Sequence, residues 1–161
     1  MQASLWRPPE LMSMSIYILN GPNLNLLGAR EPEIYGRASL DDIKTAVDAR
    51  ARERAKKIDF RQTNHEGTLV DWVQEAGAKA AGLIINPGAY THTSIALHDA
   101  LKAISVPKIE LHLSNVHARE AFRRHSYISP AVDAVICGLG AAGYLSALDA
   151  LCRLIDKEPF P

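Results

Sequence analysis

A carboxylate and an imidazole stand two residues apart in the apolar run that begins at Lys108. Because side chains alternate along a strand, Glu110 and His112 would share one face here. Both faces of a parallel sheet are usually covered and apolar, so a buried carboxylate is costly unless it is paired. The spacing therefore predicts a His–Glu pair. The pair is either purely structural or an oriented imidazole whose protonated form Glu110 favours.

A second set of polar side chains follows the first apolar run of the chain. Asn23, Arg30 and Tyr35 lie in a connection of about 19 residues that shows no periodicity of its own. Such connections in compact domains are usually lids, binding loops or disordered segments. Glycines and a proline would also permit a long exposed turn. We favour a functional loop, because a connection of this length without periodicity is unusual in a compact domain.

Two further loops carry polar residues near the ends of predicted strands. Asn86 ends one strand and can both donate and accept hydrogen bonds. Thr93 or Ser94 as a helix N-cap explains part of the segment that follows, although backbone N–H groups near a helix start also suit an anion. Arg119 and Arg123 stand four residues apart, so on a helical turn they would project from one side. They would suit carboxylate or hydroxyl groups, although a solvated surface charge is the commoner role of a single arginine.

The segment from Gly138 to Gly143 matches the glycine pattern of a dinucleotide-binding turn. That fingerprint needs a further strand with an acid about 20 residues later, whereas only 18 residues follow Gly143. We therefore interpret the segment as close packing of a strand on a helix. The histidines form no compact zinc-ligand motif, so no metal centre is predicted.

The elements that must position these residues alternate between β and α. Alternation at this spacing indicates a parallel sheet covered by helices on both faces, and the leading topology is a flavodoxin-like three-layer sandwich with five strands. The predicted strands are Ser15 to Leu19, Ile58 to Gln62, Gly82 to Ile85, Lys108 to Leu113 and Ala134 to Cys137. The predicted helices are Ser39 to Lys57, Thr68 to Ala78, Ser94 to Ile104 and Leu145 to Ile155.

Composition excludes several classes of protein. The 161 residues suggest one α/β catalytic domain over 15–161, after a loosely ordered tail over 1–14. Lysine plus arginine equals aspartate plus glutamate at 18 each, so no electrostatic footprint for nucleic acid or an anionic membrane exists. No apolar stretch approaches the ~20 residues of a membrane helix. Cys137 and Cys152 suggest free thiols in a reducing cytoplasm.

Several long segments together resemble the type II 3-dehydroquinate dehydratases, also called type II dehydroquinases. The matching segments are Asn20 to Gly36, Asn86 to Ser94, Glu110 to Glu120 and Phe122 to Ser126, in that order. The resemblance implies dehydration of 3-dehydroquinate to 3-dehydroshikimate in the shikimate pathway, without metal, cofactor or Schiff base. It also implies a homododecamer built as a tetramer of trimers. His98 stands where an arginine is often expected beside Asp99, in a region that resembles a subunit contact.

The resemblance also implies a role for each site residue. Tyr35 becomes the base and Arg30 its activator, since a nearby guanidinium favours phenolate. Asn23 matches the residue that holds a water against the developing oxyanion, and His112, oriented by Glu110, becomes the general acid. The implied substrate-binding residues are Asn86, His92, Asp99, Leu113, Ser114 and Arg123.

Two alternatives of another class remain at this point. A flavodoxin-like binding module could hold a small anion without chemistry. A nucleotide-dependent enzyme could use the glycine segment that begins at Gly138. A dehydration assay and thermal shift with NAD or FMN distinguish them from the dehydratase.

Overall fold

The protein is an α/β sandwich in a computed structural model that describes residues 14–29 and 31–159. The predicted tail, apart from Met14, and the predicted activator Arg30 lie outside the described residues. The five strands are β1 (Ile16–Asn20), β2 (Ile58–Gln62), β3 (Gly82–Asn86), β4 (Lys108–His112) and β5 (Ala134–Cys137). The helices are α1 (Pro32–Tyr35), α2 (Leu40–Glu53), α3 (Glu66–Lys79), α4 (Ile95–Ala103) and α5 (Ala142–Asp156).

All strand pairs are parallel, in the spatial order β2-β1-β3-β4-β5. Alternate strand side chains point to opposite faces, and each face packs on a different pair of helices. Ile18 and Ile84 lie in a core half with α2 and α5, whereas Leu19 and Ile85 lie in the half with α3 and α4. The predicted flavodoxin-like three-layer sandwich is therefore confirmed.

Capping residues determine where two of the helices begin. Ser39 accepts a hydrogen bond from the Asp42 N–H, and the Asp42 carboxylate accepts one from the Ser39 N–H, which together form a capping box. Ser94 caps α4 by accepting from the Leu97 N–H at 2.9 Å. Ser94, rather than Thr93, is therefore the cap. No helix in the described ranges combines the length and apolar character needed to cross a membrane.

The glycine segment after β5 serves packing, as predicted. A Cβ on Gly143 at the start of α5 would lie 3.0 Å from Leu111 Cδ1, so a larger residue would push the helix off β4. Gly138 and Gly140 have φ values of 88° and 60°, a left-handed backbone that glycine adopts without a steric penalty. The close approach of Gly143 to Leu111 sets the position of α5, the helix that carries Tyr144.

An ion-pair cluster ties the outer strand β2 to helix α3. Arg61 donates to both carboxylate oxygens of Asp59 at 2.8 and 2.7 Å and to Glu75 at 2.7 Å. Its guanidinium also lies 4.7 Å from the ring centroid of Tyr17. Hydrogen bonding from Arg61 lowers the pKa of Glu75 to about 2. The cluster fixes the β2 edge of the sheet.

Candidate active site

Loops at the carboxyl ends of β1, β3 and β4 surround one cavity, where open α/β sheets bind their ligands. The β1 and β3 loops touch through their backbones: the Gly21 N–H donates to the Asn86 carbonyl at 2.8 Å. A Cβ on Gly21 would lie 2.5 Å from the Pro87 carbonyl oxygen, so glycine is required for this approach. The two loops consequently form a continuous wall of the cavity.

Asn23 lines the cavity in an unusual backbone conformation. Its φ of 67° is left-handed, which asparagine tolerates better than most residues. The Asn64 side chain secures this conformation, because its Oδ1 accepts from the Asn23 N–H at 2.9 Å. The Asn64 carbonyl also accepts from the Tyr90 hydroxyl at 2.7 Å. One residue of the β2–α3 loop thus braces two walls of the cavity.

The predicted His–Glu pair lies at the end of β4. His112 Nε2 is 2.7 Å from Glu110 Oε1, and the Glu110 side chain is fully buried. The same carboxylate accepts hydrogen bonds from the hydroxyls of Thr91, Ser126 and Ser129, the last at 2.5 Å. Four donors therefore compensate the loss of water around a buried charge.

The charge state of Glu110 follows from this cage. Burial alone would raise the pKa of Glu110, but the hydrogen bond and charge of His112, with the Ser129 and Thr91 hydroxyls, hold it below its ordinary value. An ionised Glu110 accepts a hydrogen bond from His112 Nε2–H, so the Nδ1 edge of the ring is left for a ligand. His112 lines the cavity, as the acid role requires.

His92 lies on another wall of the cavity with its ring fixed by the backbone. Its Nδ1 is 2.8 Å from the carbonyl oxygen of His125, so Nδ1 carries a proton. Burial lowers the pKa of His92, and the charges of His112 and Arg123 act in the same direction. A neutral His92 offers the Nε2 lone pair, which accepts a hydrogen bond from a hydroxyl group.

Two arginines come from the 3₁₀ turns that follow β4. Arg119 Nη1 donates to the Tyr35 hydroxyl at 2.8 Å, and Arg123 Nε donates to Glu120 at 2.9 Å. Both arginines and Tyr35 line the cavity. The structure therefore gives the phenol a cationic neighbour that sequence spacing did not indicate.

Most of the predicted site residues meet at this cavity. Glu110 lies behind His112, and Arg30 is outside the described residues. Asp99 is an exposed residue of α4 and is not among the described residues that line the cavity. The predicted residues that do line it are Asn23, Tyr35, Asn86, His92, His112, Leu113, Ser114 and Arg123.

Sequence reasoning missed the residues that support these groups. Thr91, Ser126 and Ser129 surround Glu110, and Asn64 braces Asn23. Their types are common and their spacings irregular, so no local pattern distinguishes them. The one available signal was the buried carboxylate itself, since Glu110 has more acceptor sites than His112 alone can satisfy.

The fold and the cavity define a doubly wound α/β protein with acid–base groups at the carboxyl edge of its sheet. Residues 14–152 match the family model for dehydroquinase class II, and the chain belongs to that family. It is 60% identical over 147 residues to the 3-dehydroquinate dehydratase of Sinorhizobium medicae, covering 91% of this chain and 99% of that relative. A relative of the same name from Brucella canis is 56% identical over 91% of this chain and 94% of its own length.

Solved structures agree with the family assignment. The crystal structure of type II dehydroquinase from Butyrivibrio crossotus superimposes with a TM-score of 0.84 at 43% identity, covering 86% of this chain and 97% of that one.

Proposed function

We propose that this protein is a 3-dehydroquinate dehydratase, which eliminates water from 3-dehydroquinate to give 3-dehydroshikimate in the shikimate pathway. The observation that carries the proposal is the pairing of groups across one cavity. Tyr35 faces it with Arg119 on its hydroxyl, and His112 faces it with Glu110 behind its ring. A base and an acid, each with a partner of opposite charge, are what an elimination of water needs.

The first step removes the proton beside the ketone. Tyr35 is the base in its phenolate form, which the Arg119 guanidinium stabilises at 2.8 Å. Arg30 remains a second proposed activator. Proton removal converts the ketone to an enolate, whose oxygen gains charge. Asn23, with its backbone braced by Asn64, would hold a water against that oxygen.

The second step expels the hydroxyl group. The electron pair of the enolate moves to form the carbon–carbon double bond as the carbon–oxygen bond breaks. His112 donates a proton to the leaving oxygen, and the product is water. Glu110 orients the ring and stabilises the imidazolium before the transfer.

The remaining lining residues would bind the substrate. The Asn86 side chain and the backbone at Leu113 and Ser114 suit the carboxylate, whereas His92 and Arg123 suit ring hydroxyls. These residues do not themselves form or break bonds. Neither a metal nor a cofactor is needed for the two steps as written.

The direct test is to incubate the protein with 3-dehydroquinate and follow ultraviolet absorbance, because the product is a conjugated enone. We expect turnover that survives excess chelator and that borohydride with substrate does not inactivate. Absence of turnover would favour the alternative in which the protein binds a small anion without catalysing a reaction. Inactivation by borohydride would reveal a Schiff base and a different mechanism.

Assembly into a homododecamer, built as a tetramer of trimers, is part of the proposal. Large exposed apolar side chains on the single chain support it, since burying them against a neighbouring subunit would remove apolar surface from water. Ile95 is 58% exposed and Phe122 is 66% exposed. Asp99 lies on α4, the helix that begins at Ile95, so we propose that it acts at a subunit contact.

We also propose a cytoplasmic location. Cys137 and Cys152 are both free thiols, which suit a reducing compartment. The tail over 1–14 would stand outside a single catalytic domain over 15–161.

A further inference from the structure

A chain of buried hydrogen bonds joins β2 to the cavity wall through Tyr144, a residue that neither catalytic step uses. Asn20 Nδ2 donates to the Arg61 carbonyl at 2.9 Å, and the Tyr144 hydroxyl donates to Asn20 Oδ1 at 2.6 Å. Asn86 Nδ2 donates to the Tyr144 oxygen at 3.0 Å. Asn20 and Tyr144 are fully buried, and Asn86 is 2% exposed.

The direction of every bond in this chain follows from the first. A backbone carbonyl only accepts, so Asn20 must turn its N–H group to Arg61 and its Oδ1 to the phenol. The Tyr144 hydroxyl has one proton, and it donates that proton in the hydrogen bond to Asn20 Oδ1. The phenol oxygen therefore acts as the acceptor for Asn86 Nδ2–H. Burial raises the pKa of Tyr144 far above its ordinary value, so this proton stays in place.

The end of the chain is the amide of Asn86. Its Nδ2 side faces Tyr144, and its Oδ1 accepts from the Gly88 N–H at 3.3 Å. An amide nitrogen carries two protons, and Asn86 donates one of them in its hydrogen bond to the Tyr144 oxygen. Because Oδ1 already accepts from Gly88 and one Nδ2 proton is donated to Tyr144, the second Nδ2 proton is the group that this cavity-lining residue can offer a ligand.

We propose that Tyr144 is a positioning residue for anion recognition, because it fixes the Asn86 amide with its N–H toward the carboxylate of the bound substrate. The inference rests on the proposed function, in which Asn86 binds that carboxylate. A flipped amide would present an oxygen to the carboxylate, and two acceptors repel each other. The phenol thus selects a charged acidic ligand without touching it.

The test uses quinate, a hydroxylated cyclohexane carboxylate, and its uncharged carboxamide as paired probes in calorimetric binding to the intact assembly. Tyr144→Phe should weaken quinate binding on the order of tenfold, the loss of one hydrogen bond to a charged group. Its affinity for the carboxamide should change less than twofold, since an amide group can meet either orientation. In the dehydration assay, KM should rise more than kcat falls.

Matched variants separate positioning from general damage to the core. Tyr17→Phe removes another buried hydroxyl, bonded to Glu75 at 3.1 Å, and should leave both affinities unchanged. Tyr144→Phe should add nothing to the loss of quinate affinity in Asn86→Ala. Equal losses for both probes, no loss for either, or additive losses would overturn the proposal.

A second variant tests the chain from its other end. Asn20→Ala keeps the phenol but removes its acceptor, so the hydroxyl can donate to Asn86 and flip the amide. It should therefore also lose quinate affinity selectively, although Asn20 is not among the described residues that line the cavity. Unchanged quinate affinity would refute the inference even where Tyr144→Phe does not fold. Absence of turnover in the wild-type protein would instead remove the proposed activity, while selective loss of quinate binding would leave the hydrogen-bond chain standing.

Discussion

The guanidinium of Arg119 donates a hydrogen bond of 2.8 Å to the hydroxyl of Tyr35, a residue 84 positions earlier in the chain. The guanidinium also lies 5.5 Å from the centre of the Tyr35 ring. A cation placed this close to a phenol stabilises the phenolate. The proposed base and the turn that follows β4 therefore act as one unit.

Tyr35→Phe should abolish most of the turnover. The change keeps the ring and removes the oxygen that takes the proton, so kcat should fall at least ~100-fold, the lower range for losing a general base. Quinate affinity should change little. Tyr127→Phe, at a half-exposed tyrosine of the loop before β5, is the control and should behave as wild type. Near wild-type kcat in Tyr35→Phe would exclude this residue as the base.

Arg119→Met should lower kcat more than it weakens quinate binding. Methionine preserves much of the length of the side chain but removes the guanidinium that donates to the Tyr35 hydroxyl. Arg119→Lys keeps a positive charge and should retain more activity than Arg119→Met. Steady-state kinetics and calorimetric quinate binding provide the measurements. Equal loss of quinate affinity and of kcat/KM, with kcat unchanged, would assign Arg119 to substrate binding alone.

His112→Ala should slow loss of the hydroxyl group more than proton abstraction. In deuterated water, the variant should exchange the hydrogen beside the ketone faster than it forms product, provided that the abstracted proton can leave the closed site. Nuclear magnetic resonance follows exchange, and absorbance follows dehydration. Equal loss of both, with ligand binding intact, would contradict a separate acid role for His112.

Glu75 should make the stability of the fold depend on acid pH. Its pKa falls from 4.5 to about 2 in the folded protein, chiefly through the hydrogen bond from Arg61. A lowered carboxylate pKa contributes stability above the unfolded value, and that contribution is lost as the pH falls from 4.5 toward 2. Glu75→Gln should therefore unfold more easily at pH 7 and show a flatter decline in acid.

The control for this prediction is Glu53→Gln. Glu53 is an exposed residue whose carboxylate lies 3.3 Å from Arg50 on the same helix, a surface pair that contributes little. Urea titrations across the pH range give the free energy of unfolding for each variant. Parallel curves for wild type and Glu75→Gln would show that the Arg61 cluster does not supply the effect.

Light scattering on active protein should give the mass of twelve copies of the 17.6 kDa chain. Phe122→Glu places a charge on an exposed apolar residue and should shift the protein toward smaller assemblies. Lys57→Glu, a charge reversal beside β2, is the comparison. A stable monomer with full activity would contradict the proposed assembly.

Local patterns predicted the sheet well because strands are short and bounded by turns. β2 and β5 have the predicted limits, and β4 ends one residue earlier than predicted, at His112. Helix ends were less predictable. The α2 pattern continues to Lys57, but the helix ends at Glu53, because Ala55 takes a left-handed φ of 52° as the chain turns toward β2. That turn depends on where β2 must lie and not on the helix propensity of the residues that form it.

The candidate site shows the same difference between contacts that local spacing predicts and contacts that depend on the whole fold. Glu110 and His112 stand two residues apart, so alternation along one strand was enough to predict that they meet. Tyr35 and Arg119 meet only because the fold brings two distant loops to one edge of the sheet. The 3₁₀ turns and α1 within the predicted loops carry no periodicity that a sequence could show.

The strand order also bears on the sequence of events during synthesis. β1 lies between β2 and β3, so the inner sheet can close once the chain has been made as far as Asn86. The hydroxyl that satisfies the buried Asn20 amide arrives 124 residues after it, on the last helix. A nascent chain without α5 would hold most of the sheet and an unsatisfied amide at its centre. The buried hydrogen bonds behind the cavity can therefore close only after the chain has been made past Tyr144, although the described residues that line the cavity end at Arg123.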